Sequence, residues 1–413
     1  MRKLIIVALV ITAVFSQSQL LSPIPLPSNT IIDLDPETYD DDALYEVLEN
    51  GEIFTFLAKS SDTKNPELRQ LRQNYMALFS LKSKIFGGGV LHVAFIIPYK
   101  IIGKYATSTT NSALAFLLSR GVPFKMDTIV IEDESDTSLL SAIGQVEQNS
   151  FDLVVAPLTS KGARFYCNQA IPVRIYIPTL HKNRMACEND MVYFGGIDYE
   201  SQIETLSLLT ENDTTNITVS DQSPVSRMLS QLVATRVNVE RQIVLTKSGY
   251  YKNLIERYDD LNQSDIFLNT PVVKSSLFLS QLTLANFKPK HVLSTQINYS
   301  PLLLTLTQYH DRDTMVIASS IGEADPVVTE EIALVDQDIR FNWINYATVV
   351  GLDAIFSSRM AEPRIANENF QNNSLNYDIR LYDAGLFRFV PRPLPTPEME
   401  IDKESPYSSW SSE

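Results

Sequence analysis

Thr159 and Ser160 follow the apolar run Asp152-Leu153-Val154-Val155-Ala156-Pro157-Leu158 directly and open a segment of helical character. Hydroxyls there, beside amides that lack an intrahelical acceptor, can hold a carboxylate or another anion. The same hydroxyls can equally serve only to cap the helix. Tyr99 and Lys100 stand in the loop after an earlier apolar run, Thr179 after a later one, and Lys247 at the end of a strand further along. Each is a candidate ligand-binding residue, and each can equally be an ordinary loop residue.

Other chemistry is weaker. Ser61-Asp62-Thr63-Lys64 fits the S-x-x-K of penicillin-binding enzymes, and Lys247-Ser248-Gly249 resembles their K-T-G element. There the serine must open a long helix, whereas Pro66 keeps Asn65 out of the helical region. No G-x-S-x-G, H-E-x-x-H or Walker loop is present, so no enzyme and no cofactor is expected. The four histidines, His92, His181, His291 and His310, have no ligand spacing to either cysteine, which argues against zinc. The aspartates of Asp33 to Asp42 suggest a calcium loop, but Thr38 stands where it needs glycine and Leu44 where it needs glutamate. Asn262, in Asp260-Leu261-Asn262-Gln263-Ser264, fits a glycosylation acceptor.

Three apolar runs, Leu91 to Pro98, Asp127 to Glu132 and Asp152 to Pro157, alternate with segments of helical period. Ala106, Thr110, Ala113, Leu114, Leu117 and Leu118 make one stripe, and Leu139, Leu140, Ile143 and Val146 another. Continuous apolar strands between amphipathic helices are the pattern of a parallel sheet covered on both faces. Further strands are expected at Val173 to Ile177 and Met191 to Gly196. In such doubly wound folds ligands bind beyond the carboxyl ends of the strands. The pattern recurs after Gly196, with helices at Ile203 to Leu209 and Val225 to Ala234 around a polar stretch, Thr210 to Ser223. A strand at Arg241 to Thr246, a helix at Tyr250 to Tyr258, and a strand-helix-strand from His291 to Ala318 follow.

Before the α/β pattern, Pro36 to Glu49, Glu52 to Lys59 and Pro66 to Ser83 have helical patterning, and Gly87-Gly88-Gly89 closes that region. Arg2 and Lys3 precede an apolar run, Leu4 to Phe15, and then Ser16-Gln17-Ser18. The run is too short for the roughly 20 residues that span a bilayer, so it reads as a cleaved signal peptide. No cysteine follows it, so no bacterial lipid anchor is expected, and the mature chain should be periplasmic and not membrane-spanning. In that oxidising compartment the only two cysteines, Cys167 and Cys187, are expected to pair, with two free thiols as the alternative. A net charge of -15 repels nucleic acid and anionic membrane surfaces.

The order of these pieces resembles the type I periplasmic binding proteins. The resemblance rests on Pro98-Tyr99-Lys100 after the first strand, Ile131-Glu132-Asp133 after the second, and the run from Asp152 through Ser160. It implies an α/β, two-lobed fold of doubly wound parallel sheets with an amino-terminal helical extension. Its expected divisions are a signal peptide at 1–18, an extended linker at 19–32 and the helical extension at 33–86. Lobe 1 is expected at 90–200 and 340–370, lobe 2 at 201–339 and 375–392, and a disordered tail at 393–413. The resemblance also implies that a hydroxyl at Thr159 or Ser160 meets a ligand carboxylate. Tyr99, Lys100, Thr179 and, from the second lobe, Lys247 would complete the cleft. The acidic residue that would meet a ligand's ammonium is not identifiable.

Within that fold, Asp152 to Lys161 and Asn298 to Ser320 resemble the LppC family, activators of peptidoglycan synthases. The chain departs from it in lacking a lipid-anchor cysteine and a full helical-repeat domain. Two functions follow as expectations. One is a non-enzymatic scaffold or regulator acting on a cell-envelope protein partner in the peptidoglycan or envelope machinery. The alternative is a receptor for a small anionic or amino-acid-like ligand, serving a transporter or sensor.

Overall fold

The structure, a computed structural model, describes residues 37–78, 90–121, 123–211, 213–357 and 364–395. The expected signal peptide, the extended linker, the glycine run and the tail beyond 395 lie outside those residues.

Three helices open the described chain: Asp41–Glu49, Ile53–Lys59 and Pro66–Leu78. The first starts at Asp41, not Pro36, because the Asp40 carboxylate accepts from the Ala43 amide at 2.9 Å and fixes the cap there. Asn65 caps the third helix by accepting from Glu67 (3.0 Å) and Leu68 (3.4 Å) amides, and Pro66 supplies a preset φ. Leu44, Val47, Phe56, Leu57, Leu68 and Met76 bury one another in a cluster of their own. Each fully buried side chain there contributes about 1.5–3 kcal/mol.

The chain divides into two compact units, the first of which includes these helices. The first runs to Gly196 and resumes over Glu323–Asn376; the second is Ile197–Gly322 with the chain from Tyr377 onward. The strands are β1 Leu91–Pro98, β2 Phe124–Ile131, β3 Leu153–Val155, β4 Ile175–Ile177 and β5 Val192–Phe194 in the first unit. The second unit has β6 Asn216–Ser220, β7 Arg241–Val244, β8 Asp265–Leu268, β9 His291–Ser294 and β10 Met315–Ser319. Later segments add the hairpin β11 Asn369–Gln371 and β12 Ser374–Asn376 to the first sheet, and β13 Arg380–Ala384 and β14 Phe389–Arg392 to the second. The two sheets run β11-β12-β5-β4-β3-β1-β2 and β14-β13-β10-β9-β8-β6-β7. Their parallel parts have the same winding, 2-1-3-4-5 and 7-6-8-9-10, which makes both units doubly wound α/β.

The second sheet departs from the sequence reading. The polar stretch Thr210 to Ser223 contains β6, the strand at which the order reverses, and every residue of β6 is buried. Asn216, Thr218 and Ser220 read as loop by polarity, yet they lie in a central strand beside Ile217 and Val219. β8 and the helix Val272–Leu284 were likewise not expected. Asp265 opens β8 fully buried, its carboxylate taken by the Thr214 hydroxyl (2.5 Å) and His291 Nδ1 (2.8 Å).

Each face of the first sheet has its own cover. The helices Asp136–Glu147 and Ser160–Cys167 pack together over one core, and the Cys167–Cys187 disulfide closes that side. A cross-link over a 20-residue separation stabilises by about 3 kcal/mol in the chain-entropy description. Leu118 and Leu140, placed on buried stripes by periodicity, are exposed instead. The helix Tyr105–Arg120 packs with Pro326–Leu334 and Trp343–Phe356, through which the chain returns to this unit. Tyr176 of β4 is fully buried and donates its hydroxyl to the Ala347 carbonyl at 2.5 Å. Gly195 and Gly351 leave room for its ring, since a Cβ on either would overlap it.

Gly351→Ala should therefore force the Tyr176 ring out of its seat and destabilise the chain by about 1–3 kcal/mol, the cost of overpacking a filled core. Chemical denaturation checks this, and an unchanged midpoint would contradict the notch.

Candidate functional site

The helix Ser160–Cys167 begins beyond the carboxyl end of β3, with Thr159 as its cap in extended conformation. The Thr159 hydroxyl accepts from the Lys161 amide at 3.3 Å. The space in front of this helix is occupied by Glu134, from the loop after β2. Glu134 Oε1 accepts from the Thr159 amide at 2.7 Å, and Oε2 accepts from the Gly162 amide at 3.0 Å and from the Thr159 hydroxyl. Only 3% of Glu134 is exposed. Two amides and a hydroxyl, with the positive end of the helix behind them, replace the water that a buried carboxylate loses. Burial and the Glu134 charge together push the Tyr166 phenol up, well above its ordinary range.

The sequence makes this arrangement locally. Asp133 accepts from the Ser135 amide (3.0 Å) and hydroxyl (2.7 Å) and from the Ser138 hydroxyl (2.9 Å), so it braces the start of its own helix, Asp136–Glu147. Those bonds hold its carboxyl down at about 2. The following residue, Glu134, then faces the neighbouring helix. Gly162 admits it, because a Cβ there would come within 2.9 Å of Glu134 Cδ.

The other expected residues fall as follows. Ser160 is the first residue of the helix that Thr159 caps. Tyr99 and Lys100 begin a short helix directly after β1; Tyr99 is exposed, and Lys100 pairs with Glu132. Thr179 donates its hydroxyl to the Leu158 carbonyl, tying the loop after β4 to the loop after β3. Thr159, Ser160, Tyr99, Lys100 and Thr179 thus all lie just beyond strand ends of the first unit, while Lys247 is exposed in the second. Asn262 is exposed, with Oδ1 accepting from the Lys288 amide at 3.0 Å, and Ser264 of its acceptor triplet is buried. Among the described residues no group of three or more histidine, cysteine or acidic side chains could hold a metal. Sequence reasoning missed Glu134. The signal lay in Gly162, a helix-breaking residue three positions after the cap, together with the acidic run Glu132-Asp133-Glu134 after β2.

In the second unit, strand-end polar groups also bind one another. Asp221, after β6, pairs with Lys274 of the helix Val272–Leu284 and accepts from the Ser223 amide at 2.9 Å. Gln296 accepts from Gln202 (2.7 Å) and the Ser320 amide (2.9 Å), and Asn298 donates to the Leu268 and Thr270 carbonyls.

No protein-family model and no curated protein sequence matches the chain. Solved structures do. The branched-chain amino acid transporter substrate-binding protein LivJ of Streptococcus pneumoniae, in complex with isoleucine, aligns over 74% of this chain and 100% of its own at TM-score 0.52 and 8% identity. A solute-binding protein of an ABC transporter from R. palustris, in complex with benzoate, aligns over 74% of this chain and 96% of its own (TM-score 0.52, 11% identity). LpoA of Haemophilus influenzae aligns over 85% of this chain and 73% of its own (TM-score 0.52, 11% identity). The fold is that of the type I periplasmic binding proteins. At these identities the likeness shows the type I fold alone.

Acid should weaken this type I fold at defined groups. Burial by itself pushes Asp221 up, but the Lys274 ammonium and Ser223 outweigh it and hold the carboxyl at about 2. Asp221 and Asp133 both titrate below their unfolded value near 4, so the unfolded chain binds more protons in that interval. Their contribution is full above about pH 4 and is lost as pH falls through about 2. Asp221→Asn should remove about 2 kcal/mol at neutral pH and flatten the acid limb of stability between those values. Equal acid limbs for the variant and the wild type in denaturant titrations would contradict this.

Proposed function

We propose that the protein is a non-enzymatic, binding-protein-fold scaffold or regulator of the cell envelope that acts on peptidoglycan or envelope machinery through a protein partner. The observation that carries this reading is the helical module Asp41–Leu78. It buries a core of its own, made by Leu44, Phe56, Leu57 and Leu68, within the first compact unit. Glu37, Asp40, Asp41, Asp42 and Asp62 line a recess of this module together with Lys59 and Lys64, which leaves it a net acidic surface. The fold likeness to LpoA, over 85% of this chain, agrees with the reading. A periplasmic location is supported by the compartment usual for this fold. Among the described residues no helix is long and apolar enough to cross a membrane.

The likeness to receptors solved with isoleucine and with benzoate favours the second reading, a receptor for a small anionic or amino-acid-like solute. In that reading Thr159, Ser160, Tyr99, Lys100, Thr179 and Lys247 would be the ligand set. The carboxylate position at Thr159 is filled by Glu134 from within the chain, which weighs against it.

Deleting Ile31 to Lys84 removes the module and leaves the α/β cores intact. Affinity capture from periplasmic extract should then lose the partners that the full chain recovers. Recovery of the same partners by the deletion variant would overturn the scaffold reading.

A further inference from the structure

We propose that the outward face of the helices Val272–Leu284 and Pro301–Leu306, in the second unit, is the surface by which two copies of this chain form a dimer. Val273, Leu277 and Leu284 lie on one stripe of the first helix, and all three are exposed, Leu284 by 74%. Phe278, Leu279 and Leu282 fill the opposite side, so this helix is apolar all round, the composition of a helix covered on both sides. Leu302 and Leu306, one turn apart on the second helix, are exposed as well, as is Tyr309 just beyond it. The two helices pack against each other, and the Ser280 hydroxyl donates to the Asp311 carboxylate at 3.0 Å, which brings the turn Tyr309–Asp311 alongside. On the other side Gln281 donates to the Gly249 carbonyl at 2.9 Å, and exposed Tyr250 follows that glycine. These groups form one continuous face.

A second copy is the occupant that this face fits. The exposed fractions of its apolar side chains lie between 41% and 74%. Together they offer on the order of 500 Å² of apolar surface. A standard interface buries about 800 Å² per partner, and homodimer interfaces are about 65% apolar, so a stable dimer needs about 500 Å². The two helices also offer no free charge with which to select a charged partner. Lys274, the one charged residue of the first, pairs with Asp221, and the second has none. Lys252 and Glu256, beside Tyr250, pair with each other at 3.6 Å. The corresponding helices of the first unit, Asp136–Glu147 and Ser160–Cys167, have one exposed large apolar side chain, Leu140, and they expose Asp136, Glu147, Lys161 and Arg164. The same position in the fold is thus solvated in one unit and apolar in the other. The inference goes beyond the scaffold reading and does not depend on it, because it involves neither the helical module nor an envelope partner.

The test is sedimentation equilibrium of the full mature chain over the micromolar range, at low and at high salt. The wild type should show a monomer–dimer equilibrium. Added sodium chloride should strengthen the dimer, because it screens the repulsion between two chains of net charge -15 and leaves apolar contact in place. Leu277→Glu combined with Leu302→Glu should raise the dissociation constant by at least about tenfold, since dimerisation would then bury unpaired carboxylates. Leu284→Glu should act in the same direction, and its 74% exposure leaves the core of the monomer untouched, which an unchanged thermal midpoint checks. A wild type that stays monomeric throughout would overturn the proposal, as would a dimer that both variants leave intact or that salt weakens. Dimerisation only after removal of residues 396–413 would assign the face to the chain's own tail. A wild-type monomer that binds phosphatidylcholine vesicles, with binding lost in the variants, would assign it to a lipid surface. Either result would also overturn the proposal.

Discussion

A parallel sheet turns the amino ends of its helices toward one edge, and the amides there must find acceptors. In the first unit that requirement is met by Glu134, which reaches from the loop after β2 to the helix after β3 and accepts from two of its amides. The bond ties together the two helices that cover one face of the sheet. Asp133 on one side and Gly162 on the other exist in service of it, the first bracing the neighbouring cap and the second leaving space. The same edge is fastened again by Thr179 to Leu158 and by Lys100 to Glu132. Thr159, Thr179 and Lys100 are thus engaged inside the unit.

The opposite face depends on a different constraint. Tyr176 needs a buried acceptor for its hydroxyl, and the Ala347 carbonyl supplies it only if the helix Trp343–Phe356 approaches closely. Gly351 and Gly195 permit that approach. The chain thus returns to the first unit by packing as well as by connectivity, and it does so from Glu323.

Much of this was legible in the residues. β1 and β3 announce themselves as unbroken apolar runs, and the helices between them follow 3.6-residue stripes. The cysteine pair was expected and is bonded. What stayed hidden shares one physical cause, polar residues that are buried because something specific satisfies them. β6 carries Asn216, Thr218 and Ser220 inside a sheet, and β8 begins with a fully buried Asp265 held by Thr214 and His291. Glu134 is the last of three consecutive acids, Glu132-Asp133-Glu134. Polarity alone predicts exposure for all of them, and only the partner, distant in sequence, reverses the prediction.

The proposed scaffold function rests on a helix end at Thr159 engaged by Glu134 and on helical residues that bury a core of their own. The direct measurement is isothermal calorimetry of the intact mature chain against isoleucine, leucine, benzoate and peptidoglycan fragments. The account predicts no saturable heat from any of them. A micromolar dissociation constant for one of these carboxylates, lost on Thr159→Ala, would contradict it and establish a solute receptor.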